Sequence, residues 1–231
     1  MTADGDFLSG YFAWAFRDRA LRVIQQGWTQ FQRLARQKGW TPKAIPTTDL
    51  GPTMGRPTPR GGIKLEVVAR DLPRGEATRP GRGEGEKCAF NISWLALTSA
   101  EASRFVTSKE APQEVPQSIL WKMSKLLKDC VRGQCGDWPR GALQNGKLLV
   151  QRIKTKDNVW TMRISGFVIL ATSSRHYAPQ LHGECEYDVK KKRLTRFELM
   201  ASGQRKGRTQ FNSRQRDLGP APLGIAFRLH D

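Results

Sequence analysis

The chain is poor in the residues that carry most enzyme chemistry. It has 231 residues, with three His, four Cys and three Tyr, and acids are outnumbered 21 to 39 by Lys and Arg. Cys88, Cys130, Cys135 and Cys185 form no CxxC and pair with no His at zinc spacing. Cys130 and Cys135 are close enough in sequence for a small disulfide loop, but free, partly buried thiols are the expected state. His176, His182 and His230 accompany no Gly-x-Ser-x-Gly elbow, and no Cys sits in a recognisable nucleophile context. Apolar runs such as Phe167–Ala171 fall far short of the roughly 20 residues that a membrane span requires. The N-terminal stretch places acids ahead of a short aromatic run, the wrong order for a secretory signal, so the chain reads as cytoplasmic.

What the chain has in excess is positive charge, +18 in all with a pI near 10.4. Residues 1–60 carry +5, residues 61–154 carry +6 and residues 155–231 carry +7, so the excess belongs to the body and not to a tail. Such a surface attracts nucleic acid, anionic lipid or acidic proteins.

Three regions follow from the pattern. Residues 1–40 read as a basic amphipathic helix over about Tyr11 to Lys38, with Leu21, Ile24, Trp28, Phe31 and Leu34 at three- and four-residue steps and Gly39 as a stop. Its stripe suits a protein partner's groove, a dock on the rest of the chain, or an anionic membrane. Residues 41–62 hold five prolines and four glycines and read as a linker, which makes Ile63 the main boundary. Residues 63–231 read as a β-rich domain. Ile63–Val67 alternates as a half-buried strand, and Cys88–Leu97 is a second apolar run. Thr98–Glu101 has the spacing of a capping box, opening a short helix to about Val106. A stronger helix is expected over 117–131, with Ile119/Leu120, Met123, Leu126/Leu127 and Cys130/Val131 on its buried stripe.

From Lys147 onward strands recur with tight connections: 147–154, 159–172 with a bulge or bend at Gly166, 183–189, 194–201 and 223–229, with Arg208–Asn212 as a candidate addition. The expected fold is α+β or mainly β, an antiparallel meander forming an open sheet or a barrel under the 117–131 helix. A three-residue turn at Lys190–Lys192 would set Glu186 opposite Arg196 and Cys185 opposite Phe197. Trp94, Trp121, Trp138 and Trp160 are core candidates; in a closed barrel they would line a site for an apolar ligand.

Two constellations bear on function. His182, Glu184, Glu186 and Asp188 alternate along one strand face, where they can hold a divalent cation in a hydrolase-like site or form a solvated sheet surface. The second reading is the more economical. The stretch 203–216 is the densest basic segment; Arg205, Lys206, Arg208, Arg214 and Arg216 can neutralise phosphates while Phe211 stacks on a base. Lys190–Arg193 adds a second basic tip. The glycine-rich loop 79–87 lacks phosphate-loop order.

The ordered set Arg70-Asp-Leu-Pro-Arg74, Val131-Arg-Gly133, Tyr187-Asp188, Thr195-Arg-Phe197 and Pro222-Leu-Gly-Ile-Ala-Phe227 resembles a family of uncharacterised bacterial proteins over about residues 63–231. The resemblance implies a domain boundary and no activity. The expectation is therefore a non-enzymatic binding or structural module with a basic surface for nucleic acid or another polyanion, needing no cofactor.

Overall fold

The computed structural model describes residues 17–37, 58–74, 90–129, 136–208 and 217–230. The chain divides into two compact units, 1–52 and 53–231. In the first, helix α1 spans Arg17–Gln37. The expected start at Tyr11 and most of the 41–62 linker lie outside the described residues.

The second unit is built on strands β1 (Ile63–Asp71), β2 (Phe90–Leu97), β3 (Gln113–Glu114), β4 (Leu143–Lys156), β5 (Val159–Ala171), β6 (Arg175–Asp188), β7 (Arg193–Gly207) and β8 (Ala221–His230). All pair antiparallel, in the order β2-β1-β8-β7-β6-β5-β4-β3. β4 to β8 form the meander, and the β1–β2 hairpin joins beside the last strand. β2 and β3 are the two edges, so of the two arrangements the strand spacing allows, the sheet takes the open one. Among the described residues no helix is long and apolar enough to cross a membrane.

Period-two alternation divides the sheet into a core face and an outer face. Leu65, Val67, Phe227, Leu199, Ile164 and Val150 belong to the core face and are 0–2% exposed. The segment between β2 and β4 covers them. Within it, α2 (Ser99–Ala102) opens with the expected capping box: Glu101 N–H donates to Thr98 Oγ1 (3.2 Å) and Thr98 N–H to Glu101 Oε2 (2.8 Å). A 3-10 turn, Ser103–Phe105, follows and sends Phe105 edge-on against Phe197 at 5.1 Å. Helix α3 (Gln117–Ser124) contributes Ile119, Leu120 and Met123. Lys122 on α3 reaches back to Glu101 at 2.7 Å, tying the two helices together.

Helix α3 is shorter than the expected 117–131. The amides of Leu126 and Leu127 donate three residues back, to Met123 and Ser124, tightening the chain out of the α-helical path. The Leu127 carbonyl then accepts from Trp138 Nε1 (2.7 Å), so Leu127 stays buried without continuing the helix. Residues 130–135 lie outside the described residues. Trp138 is a core residue, whereas Trp94, Trp121 and Trp160 are half-buried.

Gly166 marks no bulge; β4, β5 and β6 run through it in continuous register. A Cβ there would stand 2.0 Å from the Lys147 carbonyl oxygen, so the glycine serves the close approach of β4. Gly183 does the same for β7, with a Cβ position 2.2 Å from the Glu198 oxygen. The register shifts fall at Leu143/Asn145, Arg152/Lys154 and Glu186/Tyr187. Phe197 sits at the centre of the packing, 0% exposed. Phe197→Ala should cost about 3–5 kcal/mol, from lost transfer energy and the cavity left beneath Phe105. A urea midpoint equal to that of the unaltered protein would contradict this placement.

Candidate nucleic-acid interface

The β6–β7 hairpin pairs Glu186 with Arg196 and Cys185 with Phe197, as the alternation suggested, but its turn has four residues, 189–192. Tyr187 pairs with Leu194, leaving Thr195 as an extra residue in β7. That bulge absorbs the fourth turn residue and restores the register. Asp188 anchors the turn: its carboxylate accepts from the Lys191 amide (2.8 Å) and lies 3.3 Å from Lys191 Nζ. The amide bond, more than the ammonium, holds the carboxyl below its usual range.

The neighbouring β4–β5 turn is Asp157-Asn158, both with φ > 0 (46° and 64°), between the closing pair Lys156 and Val159. A two-residue hairpin turn of this type matches the twist of its strands. β5 pairs directly with β6, so the two turns lie side by side, joined by Val189 N–H donating to the Asn158 carbonyl (2.9 Å). This end of the sheet thus presents Lys154, Lys156, Lys190, Lys191, Lys192 and Arg193, all exposed, with Asp157 and the anchored Asp188 on the turns themselves and Glu110 paired with Arg152 (3.5 Å) beside them. Beside them two half-buried rings on adjacent strands, Trp160 and Tyr187, stand 6.2 Å apart, with the Arg152 guanidinium 5.4 Å from the Trp160 centroid.

The basic stretch 203–216 is placed differently. β7 carries it to the opposite end of the hairpin, about 45 Å along the strand at roughly 3.3 Å per residue. Lys206 and Arg208 are exposed there, and the Arg208 amide donates to the Ser174 carbonyl (3.0 Å). Phe211, Arg214 and Arg216 lie outside the described residues. Arg205 does not share that surface. It is 1% exposed, on the core face, where its guanidinium bonds the Asp217 carboxylate and the Asp217 carbonyl (2.5 Å) and stands 3.7 Å from Asp129. Arg74 adds bonds of 2.5 and 3.0 Å to the same carboxylate. The Gly207 amide donates to Leu218 O (2.8 Å), joining the end of β7 to the residues that lead into β8.

Of the four residues on the β6 alternation, His182 and Glu184 line a concave groove of about 640 Å³ on the outer face, with Arg163, Arg196, Glu198 and Arg228 around them. Glu186 and Glu198 share Arg196 (3.5 and 2.5 Å), and Arg228 pairs with Glu66 (3.0 Å). Like-charged Glu184 and Glu198 stand directly opposite in the register, an arrangement that costs energy unless cations flank it. Arg163, across from Glu184 on β5, and Arg228, across from Glu198 on β8, provide that flank. Among the described residues no three His, Cys, Asp or Glu side chains gather closely enough to hold a metal ion. Cys185 is buried and unbonded to another Cys, its Sγ 3.4 Å from the Phe105 carbonyl. Burial, reinforced by the charges of Glu186 and Glu184, pushes its thiol up to about 12, so at neutral pH it is protonated and unreactive. Cys88, Cys130 and Cys135 lie outside the described residues.

Comparison of the chain with models of known protein families, with curated proteins and with solved structures finds no match, and no activity is carried over from a relative.

The buried ion cluster makes an acid-stability prediction. Burial alone would raise the Asp217 carboxyl, but the bonds from Arg74 and Arg205 outweigh it and hold it at about 2, against an ordinary 3.8. A depressed pKa stabilises the fold above the ordinary value, and that stability is lost as pH falls from about 4 through 2. The contribution is about 2–3 kcal/mol. Asp217→Asn should remove that limb of the pH–stability curve and destabilise the protein at pH 7 by about 3–5 kcal/mol, because Arg205 is left underpaired in the core. An unchanged acid limb in the variant would contradict it.

Proposed function

We infer that the domain is a non-enzymatic binding module whose basic surface takes a polyanion, with nucleic acid as the class of partner. One observation carries this reading. Two adjacent hairpin tips, joined by the Val189–Asn158 bond, gather six exposed cations, with Asp157 and Asp188 as the acids on the turns themselves. Cations set on a rigid sheet end neutralise successive phosphates without ordering long loops first, and release of condensed counterions then drives association. Trp160 and Tyr187, packed against the core on neighbouring strands beside the tips, keep part of each ring uncovered, a surface of the kind that single-stranded bases stack on. Lys206 and Arg208 form a second, smaller basic surface at the other end of β7.

The test is a salt titration of binding to a single-stranded oligonucleotide. Affinity should fall linearly on a log–log plot as salt rises. In the triple variant Lys190→Gln, Lys191→Gln, Lys192→Gln the slope should shrink by about 0.7 per phosphate contact removed. Lys206→Gln with Arg208→Gln should change it less. Salt-independent affinity, or a loss confined to the Lys206/Arg208 variant, would refute this assignment.

A further inference from the structure

Helix α1 has a side that the chemistry of the β domain does not explain. At roughly 100° per residue, Leu21, Val23, Ile24, Trp28, Phe31 and Leu34 occupy one arc of about 160°. Arg19, Arg22, Arg33 and Arg36 fall on the remaining arc together with Asp18, the only acid between residues 17 and 37, while Arg17, the first residue of the helix, falls within the apolar arc. Trp28 is 59% exposed and its ring stacks on Phe31 with centroids 5.5 Å apart. Gln25, Gln26, Gln32 and Arg33, on the polar arc, are exposed as well.

We propose that α1 lies flat on an anionic lipid surface, with the Trp28–Phe31 side in the acyl boundary and the arginines among the headgroups. Three features select this occupant. The apolar arc is broad, whereas a coiled-coil seam is a narrow stripe of two positions in seven. Pairing with a second copy of the helix needs acids opposite the arginines, and Asp18 is the only one. The polar arc carries cations of one sign spread along both ends of the helix, which complements a surface of uniform negative charge. A span is excluded, because arginines on the polar arc would sit in hydrocarbon and the helix is not apolar enough to cross. At 21 residues the helix covers about 32 Å of membrane surface.

The experiment uses the full chain with sedimented vesicles, one set of phosphatidylcholine alone and one with a third of it replaced by phosphatidylserine. Binding is expected to the anionic set and not to the zwitterionic set. Trp28→Glu with Phe31→Glu should lower the partition coefficient by more than about tenfold, since it places charge in the apolar arc. Arg22→Gln with Arg33→Gln and Arg36→Gln should lower it on the order of a hundredfold. The Lys190/Lys191/Lys192→Gln variant should sediment like the unaltered protein, and the Trp28/Phe31 variant should keep its oligonucleotide affinity; these two arms separate α1 from the basic end of the sheet. Vesicle binding that survives Trp28→Glu with Phe31→Glu would show charge attraction alone and overturn the proposal. Absence of vesicle binding together with self-association that the same variant abolishes would assign the apolar side to protein contact and overturn it equally.

Discussion

Burial of one sheet face beneath the Ser99–Leu127 segment governs the rest of the domain. Strands that alternate with period two and bury one side must send their charges to the other side or to the turns. Leu148, Met162, Cys185 and Phe197 are fully covered, so Arg163, Glu184, Arg196 and Glu198 are driven to the outer face, and the lysines accumulate at the strand ends. Within the sheet, the charge is placed by the same alternation that builds the core. The cover is held in turn by bonds to β4, from Val115 N–H to the Leu148 carbonyl (2.8 Å) and from Gln117 Nε2 to the Gly146 carbonyl (3.1 Å), together with the Thr98–Glu101 box, the Lys122–Glu101 pair and the Trp138–Leu127 bond that lets the chain leave α3 without exposing Leu127.

Arg205, like Asp71 and Arg175, departs from that division, being charged and buried at a core-face position. A full guanidinium on the core face is tolerable only because Asp217 and Asp129 face it and Asp217 is shared with Arg74. Tyr177, pushed up by burial and by the Asp129 charge, stays protonated beside them and donates to backbone oxygens of β7 and β8. Removing one member leaves a buried charge uncompensated, so the cluster ties the end of β7 to Asp217 and Asp129. The two basic ends of the domain therefore differ in kind. The Lys154–Arg193 end is two short turns bonded to each other, and the Lys206 end is held by the backbone bonds of Gly207 to Leu218 and Arg208 to Ser174.

Much of this was legible in the residues. The capping box, the buried stripe of α3 and the pairing of Glu186 with Arg196 and Cys185 with Phe197 all follow from local spacing, and the structure contains them. The four-residue turn and the Thr195 bulge did not, because the two irregularities cancel in the register and leave the alternation intact on both sides. The burial of Arg205 had a visible signal: counting by twos from Phe197 through Leu199, Ala201 and Gly203 lands on Arg205, on the core face. Reading 203–216 for charge density hid that signal. The joint basic end was likewise implied by the meander, since in successive hairpins the β4–β5 and β6–β7 turns must fall at the same end of the sheet. The α3 end was not legible, because Cys130 and Val131 continue the helical stripe in sequence while Trp138, distant in sequence, takes the Leu127 carbonyl.

The central claim is that the polyanion meets the domain at the joined hairpin tips, and mapping backbone amide exchange with and without a saturating single-stranded oligonucleotide tests it most directly. The account predicts added protection concentrated in residues 154–160 and 187–194, with little change along 196–200 on the outer face. Protection confined to the groove around His182 and Met200, or to the 206–208 end alone, would contradict it.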